Sequence, residues 1–184
     1  MRIISGNFRG KKITAPNNLP VRPTTDFAKE ALFNVLNNHY YFDEVRILDL
    51  FSGIGSISLE FASRGSKRIL SVDQAPGCVK FLNETVEHLN LSDVVTVIRS
   101  DVFQYLERNT QGTFEVIFAD PPFAFEQEDY ERIIELICEN KWLDDKGELI
   151  MEHSSHINFE EHPQLLQTRK YGNINFSFFD FTKR

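Results

Sequence analysis

The chain has 184 residues, 41% hydrophobic and 26% charged, with a net charge of -7. That length suits one domain with one substantial core. No run of about eighteen apolar residues appears, so no membrane span is expected, and the negative balance weighs against a generic nucleic-acid binder.

Residues 2–14 alternate loosely around Gly6 and Gly10 and predict a short hairpin or an extended arm. Pro16, Asn17, Asn18, Pro20 and Pro23 then interrupt regular structure. Thr24-Thr25-Asp26 supplies N-cap residues for a helix whose apolar face carries Ala31, Leu32, Val35 and Leu36. From there strand and helix alternate. Val45–Leu50 reads as a strand, Ser56–Arg64 as a helix closed at Gly65, and Arg68–Val72 as a second strand. Val79, Leu82, Val86 and Leu89 recur at helical spacing. Val94–Ile98 is a third strand, Val102–Glu107 a short helix and Phe114–Ala119 a fourth strand. Tyr130, Ile133, Ile134 and Ile137 mark another helix, and Glu148–Met151 a fifth strand.

Such alternation implies a doubly wound, mostly parallel sheet with helices on both faces. The tail differs. Thr168–Tyr171 and Ile174–Phe181 flank Gly172-Asn173 and predict a hairpin. Ile174, Phe176 and Phe178 share one face, Phe179 and Phe181 the other. A strand apolar on both faces belongs inside the sheet, so the sheet is expected to end in an antiparallel pair with one strand inserted.

The charge is unevenly spread. Residues 1–25 carry Arg2, Arg9, Lys11, Lys12 and Arg22 and no acid, leaving -12 on the rest. A basic arm on an acidic body fits local phosphate contact, and equally a solvated hairpin with no partner. The opening MRIISGNFRGKK lacks the apolar stretch of a signal peptide, and a cytoplasmic protein is expected. Cys78 and Cys138 fall in predicted helices and read as small buried or half-buried residues. Glu152, His153 and His156 have no favoured ligand spacing, so no metal is expected.

The first strand runs into Asp49-Leu50-Phe51-Ser52-Gly53-Ile54-Gly55. Ligands of a doubly wound sheet bind beyond the carboxyl ends of its strands, where glycines admit close approach and the next helix offers free N–H groups. A dinucleotide is the rival ligand. Ser58 stands where a third glycine would aid packing, and Asp49 would repel a pyrophosphate but suits a positively charged amino group. Asp73, followed by Gln74, closes the second strand and suits ribose hydroxyls. Asp101, followed by Val102, comes after the third strand and suits an exocyclic adenine amine, although either acid also makes a good N-cap. Amine, ribose and adenine without phosphate describe S-adenosylmethionine.

The fourth strand ends in Asp120-Pro121-Pro122-Phe123. Two prolines stiffen the backbone and leave carbonyls free to face a pocket. Asp120 and the Pro121 carbonyl are suited to accept the N–H groups of a planar amine and aim its lone pair at a methyl donor. Phe123 offers a face for a base drawn out of its stack.

These residues follow the class I methyltransferase pattern. Together with Arg2–Gly6, Arg9–Lys12, Val21–Asp26, Glu30–Asn34 and Tyr171-Gly172 the chain resembles the RsmD family over nearly its whole length. The resemblance implies a class I (Rossmann-like) fold with a seven-stranded sheet, a basic hairpin arm at 1–25 that helps bind RNA, and a methyltransferase domain at 26–184. It implies methyl transfer to guanine N2 in 16S rRNA within a small-subunit particle, by a monomer that yields S-adenosylhomocysteine. Arg9, Lys11, Lys12, Arg22, Thr24, Thr25 and Phe123 are the expected RNA contacts. An N6-adenine or protein-glutamine methyltransferase is the alternative within the same chemistry. Lys29 stands where relatives often carry arginine, and Ser56 and Ser58 replace small apolar residues, a change expected to touch packing more than chemistry.

Overall fold

The computed structural model describes residues 1–21, 24–108 and 112–182. Its seven strands are β1 (Arg46–Leu50), β2 (Arg68–Asp73), β3 (Val95–Arg99), β4 (Phe114–Ala119), β5 (Leu143–His153), β6 (Leu165–Tyr171) and β7 (Ile174–Asp180). They form one sheet in the order β3-β2-β1-β4-β5-β7-β6. The first five pair in parallel, whereas β7 runs antiparallel to both β5 and β6. The inserted final strand expected from its two apolar faces is therefore β7.

Five helices cover the sheet: α1 (Asp26–Leu36), α2 (Ser56–Ser63), α3 (Pro76–His88), α4 (Val102–Leu106) and α5 (Gln127–Glu139). One core joins α1, α2 and α3 to Ile47, Ile69, Val116, Phe118, Ile150, Phe176 and Phe178. The other joins α4 and α5 to Leu48, Leu50, Val72, Ile117, Ala119, Leu149, Met151 and Phe179. Along each strand the two sets alternate, as the two-residue period of a pleated strand demands.

Several boundaries differ from the sequence reading. β5 begins five residues early, because Leu143 pairs with Phe114 ahead of a register shift, a backbone contact that needs no apolar pattern. β6 extends back to Leu165 for the same reason. Cys138 is exposed, not buried or half-buried: α5 turns Ile134 and Ile137 inward, and the next position faces solvent. Cys78 is buried.

The arm folds back as a narrow hairpin. Ile3 N donates to Lys11 O at 3.0 Å and Gly10 N to Ile3 O at 2.8 Å. Ile3 and Ile13 are buried in the first core. The turn sits on the end of α2, where Asn7 N donates to Ser63 O at 2.7 Å and Ser63 Oγ donates to Ser5 O at 2.6 Å. Gly6, at φ 82°, lies so close that a Cβ would stand 1.9 Å from Ser63 O. Buried Glu60 completes the clamp. Its oxygens accept from Ile4 N at 2.9 Å and Ser5 N at 3.0 Å, and they pair with Lys29 Nζ at 3.3 Å and Arg64 Nε at 2.9 Å. Lys29 is likewise buried, and its ammonium also donates to Arg2 O at 2.7 Å. Its charge thus serves the fold rather than an RNA surface. Glu60→Gln strips a buried ammonium of its counter-charge. Urea unfolding is expected to show a loss of about 3–5 kcal/mol, and a loss below about 1 kcal/mol would mean that Lys29 finds other partners.

Candidate active site

The chain leaves β1 toward β2 and returns to β4 on the other side, so the loops after β1 and β4 diverge. A crevice opens at such a switch point. Here it is a cavity of about 920 Å³ lined by Asp49, Phe51, Ser52, Gly53, Asp73, Gln74, Val102 and Asp120–Phe123, with Thr24 and Thr25 on one wall.

The loop after β1 is shaped by backbone constraints. Gly55 caps α2 at φ 81°, and a Cβ there would meet Leu82 Cδ1 at 2.3 Å. Gly55 therefore shapes the loop without lining the cavity. Phe51 adopts φ 59°, a left-handed conformation uncommon outside glycine. Its ring is held edge-on by Phe125 at 5.6 Å, and Phe125 stacks on Phe103 at 5.8 Å. Asp73 ties the loop to β2, accepting from Gly53 N and from Ala75 N, each at 2.8 Å. Each carboxylate oxygen keeps a second lone pair for a ligand.

Asp49 is buried, and its Oδ2 accepts from both the backbone N and the Oγ of Ser58. Ser58 Oγ also lies 2.7 Å from Ser71 Oγ. Ser58 is thus a polar support for Asp49, where the sequence suggested a packing change. Burial pushes the Asp49 carboxyl up to about 7, with the Ser58 bonds opposing and the charge of Asp73 adding. Asp120 anchors its strand end through its N–H to Leu50 O at 3.3 Å, and Phe125 N closes a turn on Pro122 O at 2.9 Å. Burial, then the charges of Glu152 and Asp49, hold the Asp120 carboxyl well above the usual range. Phe123 stands at the rim, 60% exposed.

Glu152 also lines the cavity and was missed as a site residue. It is buried, and Thr24 Oγ1 donates to its Oε2 at 2.9 Å. A signal was present: Glu152 directly follows the apolar run Leu149-Ile150-Met151, as Asp120 follows the run that ends at Ala119.

Comparison with known proteins resolves the family. A family model described as conserved hypothetical protein 95 matches residues 1–180. Ribosomal RNA small subunit methyltransferase D of Haemophilus influenzae is 36% identical over 145 residues, covering 78% of this chain and 73% of its own length. The Escherichia coli protein of that name is 31% identical over 153 residues, covering 83% of this chain and 74% of its own. The chain belongs to the RsmD family. The solved structure of yhhF from Escherichia coli superposes with a TM-score of 0.86 at 26% identity, covering 100% of this chain and 99% of that one. The fold is the class I methyltransferase fold of RsmD proteins.

Other expected site residues of this RsmD chain lie apart from the cavity. Asp101 caps α4, with Oδ1 accepting from Gln104 N at 3.0 Å, and does not line the cavity. Arg9, Lys11 and Lys12 are exposed on the arm and form no ion pair among the described residues. Lys12 borders a separate hollow with Arg2 and Asp26. Arg22 lies outside the described residues. Among those residues no acid, histidine and cysteine side chains gather to hold a metal, and no helix is long and apolar enough to cross a membrane. His153 is engaged by Ser177 Oγ at 2.7 Å and Ser154 O at 2.8 Å.

The raised Asp49 carboxyl has a consequence for stability. A group whose folded pKa lies above its unfolded value contributes stability below the unfolded value and loses it as pH rises through the folded one. Between about pH 4 and 7 the unliganded protein is therefore expected to lose thermal stability from Asp49. Asp49→Asn, neutral throughout, should reduce that slope in melting curves. An unchanged slope would remove Asp49 as its source.

Proposed function

We propose that this chain is an S-adenosylmethionine-dependent rRNA methyltransferase that modifies the exocyclic N2 of a guanine in 16S rRNA. One observation carries the reading: a single cavity is shared by the loop after β1 and by Asp120-Pro121-Pro122-Phe123. A donor site and a planar-amine site in one enclosure suit direct transfer between them. Relatives named ribosomal RNA small subunit methyltransferase D support rRNA as the substrate. The basic arm of Arg9, Lys11 and Lys12 suits phosphate contacts, in a small ribosomal subunit or an assembly intermediate. A protein-glutamine acceptor has weaker support: a relative named putative protein N5-glutamine methyltransferase matches 45% of this chain, against 78% and 83% for the two rRNA methyltransferases.

The residues fit the donor. Asp73 retains lone pairs for ribose hydroxyls, Ser52 and Gly53 of the loop after β1 line the cavity, and Val102 gives an apolar edge for adenine. Asp101 caps α4 and lies outside the cavity lining, so it has no part in this assignment. Asp49, Asp120 and Glu152 crowd negative charge around the cavity, which favours a cationic ligand and disfavours a pyrophosphate. When bound, S-adenosylmethionine supplies an electrophilic methyl on sulfur and departs as S-adenosylhomocysteine.

The chain's own residues act on the acceptor. Asp120 and the Pro121 carbonyl accept the two N–H groups of the amine, which turns its lone pair toward the methyl. Proximity and alignment carry most of the rate. The nitrogen gains the methyl and sheds a proton, which Asp120, with its raised pKa, is suited to receive. Phe123 supplies the face on which the extruded base lies.

Asp120→Ala is expected to lower methyl transfer to unmodified small subunits by about a hundredfold or more. S-adenosylhomocysteine should raise the melting temperature of wild type and variant alike, and NAD of neither. Full turnover in the variant, or stabilisation by NAD alone, would overturn the reading. Replacing Arg9, Lys11 and Lys12 with Ala should flatten the salt dependence of RNA binding by a slope of about 2–3 in log units. An unchanged slope would show that the arm makes no phosphate contacts.

A further inference from the structure

We infer that Glu152 is the specificity-determining residue for guanine, accepting the N1–H of the base while Asp120 accepts from its N2 amine. The inference rests on the proposed guanine-N2 reading and deepens it.

Register brings the two acids together. Ala119 on β4 pairs with Met151 on β5, so Asp120 and Glu152 are the next positions on adjacent parallel strands. Neighbouring strands lie about 4.8 Å apart. Both acids follow the alternation of Phe118 and Ile150 and therefore rise on the same face of the sheet. The cofactor acids lie the other way, Asp49 on β1 and Asp73 on β2. Thr24 at the start of α1 hydrogen-bonds to Glu152; Phe27, which meets Tyr171 edge-on at 6.2 Å, and Asn173 at the β6–β7 turn also line the cavity. The sequence gives none of these a donor role, so this end of the cavity belongs to the acceptor.

Thr24 Oγ1 holds one Glu152 oxygen and thereby fixes the side chain. An ionised carboxylate only accepts hydrogen bonds. Two neighbouring acceptors match two neighbouring donors, and guanine alone among the standard bases carries a ring N–H beside an exocyclic amine. Adenine turns an N1 lone pair toward that place and cytosine an N3 lone pair, each meeting a carboxylate with repulsion. Uracil has the ring N–H but no amine to methylate. Discrimination of this kind is steep, because the wrong base sets one acceptor against another in a buried site.

The test uses the full chain and small subunits reconstituted from rRNA that carries guanine or 2-aminopurine at the methylated position, mapped beforehand with labelled methyl. 2-Aminopurine keeps the N2 amine but replaces N1–H with a lone pair. Wild type is expected to favour guanine by about a hundredfold in kcat/KM, and Glu152→Gln to shrink that ratio at least about tenfold, because its carboxamide can donate to the N1 lone pair. Thr24→Val should narrow the ratio in the same direction, and Thr24→Ser should leave it intact. Stabilisation by S-adenosylhomocysteine verifies that each variant is folded. An unchanged ratio in Glu152→Gln and in Thr24→Val, with guanine methylation still dependent on Asp120, overturns the role of Glu152 alone. Failure of wild type to methylate any guanine N2 overturns the proposed function and this inference together.

Discussion

Successive side chains of a strand point to opposite faces of its sheet, so a strand-end acid reaches the cavity only if it is in phase with the others. Asp73, Asp49, Asp120 and Glu152 sit on four adjacent strands and meet that condition. Each follows the parity of a residue in the core beneath α1, α2 and α3, namely Ile69, Ile47, Phe118 and Ile150. Shifting any of these strands by one residue would turn its acid into the opposite core. The hydrophobic pattern that builds the sheet therefore also sets which acids line the cavity.

Asp101 shows the same constraint from outside. It follows β3 and caps α4, a helix that packs on the other face. Its carboxylate goes to a backbone N–H of that helix. The loop geometry that starts α4 separates it from the in-phase acids, although Val102, one residue on, still borders the cavity.

The arm depends on a second constraint, the placing of buried charge. Glu60 lies on a helix that is buried along its whole length and accepts two backbone N–H groups of the arm. Burial lowers the pKa of Lys29, and the adjacent charge of Glu60 opposes that shift. Such a network is costly unless every member is satisfied, which rewards one docking geometry of the hairpin over others. A rigid hairpin base leaves Arg9, Lys11 and Lys12 as exposed charges on a fixed surface. Across the molecule, burial and the charges of Glu152 and Asp49 act together on Asp120 at the cavity.

The sequence by itself determined the order of strands and helices along the chain, the insertion of β7 and the two loops, after β1 and β4, that border the cavity. These features are local or periodic: phenylalanines at alternating positions, a Thr25 cap, glycines after β1 and the prolines after β4. Only the tertiary structure decided which charges face which partners. Lys29 reads only as a lysine where relatives often carry arginine until Glu60, thirty-one residues away, is brought beside it. Ser58 reads as a packing change until Asp49 and Ser71 meet its hydroxyl. Glu152 is one more acid until Thr24, 128 positions earlier, donates to it at the edge of the cavity. Periodicity reports which face a residue takes, whereas an ion pair or a hydrogen bond depends on distances that only the folded chain fixes.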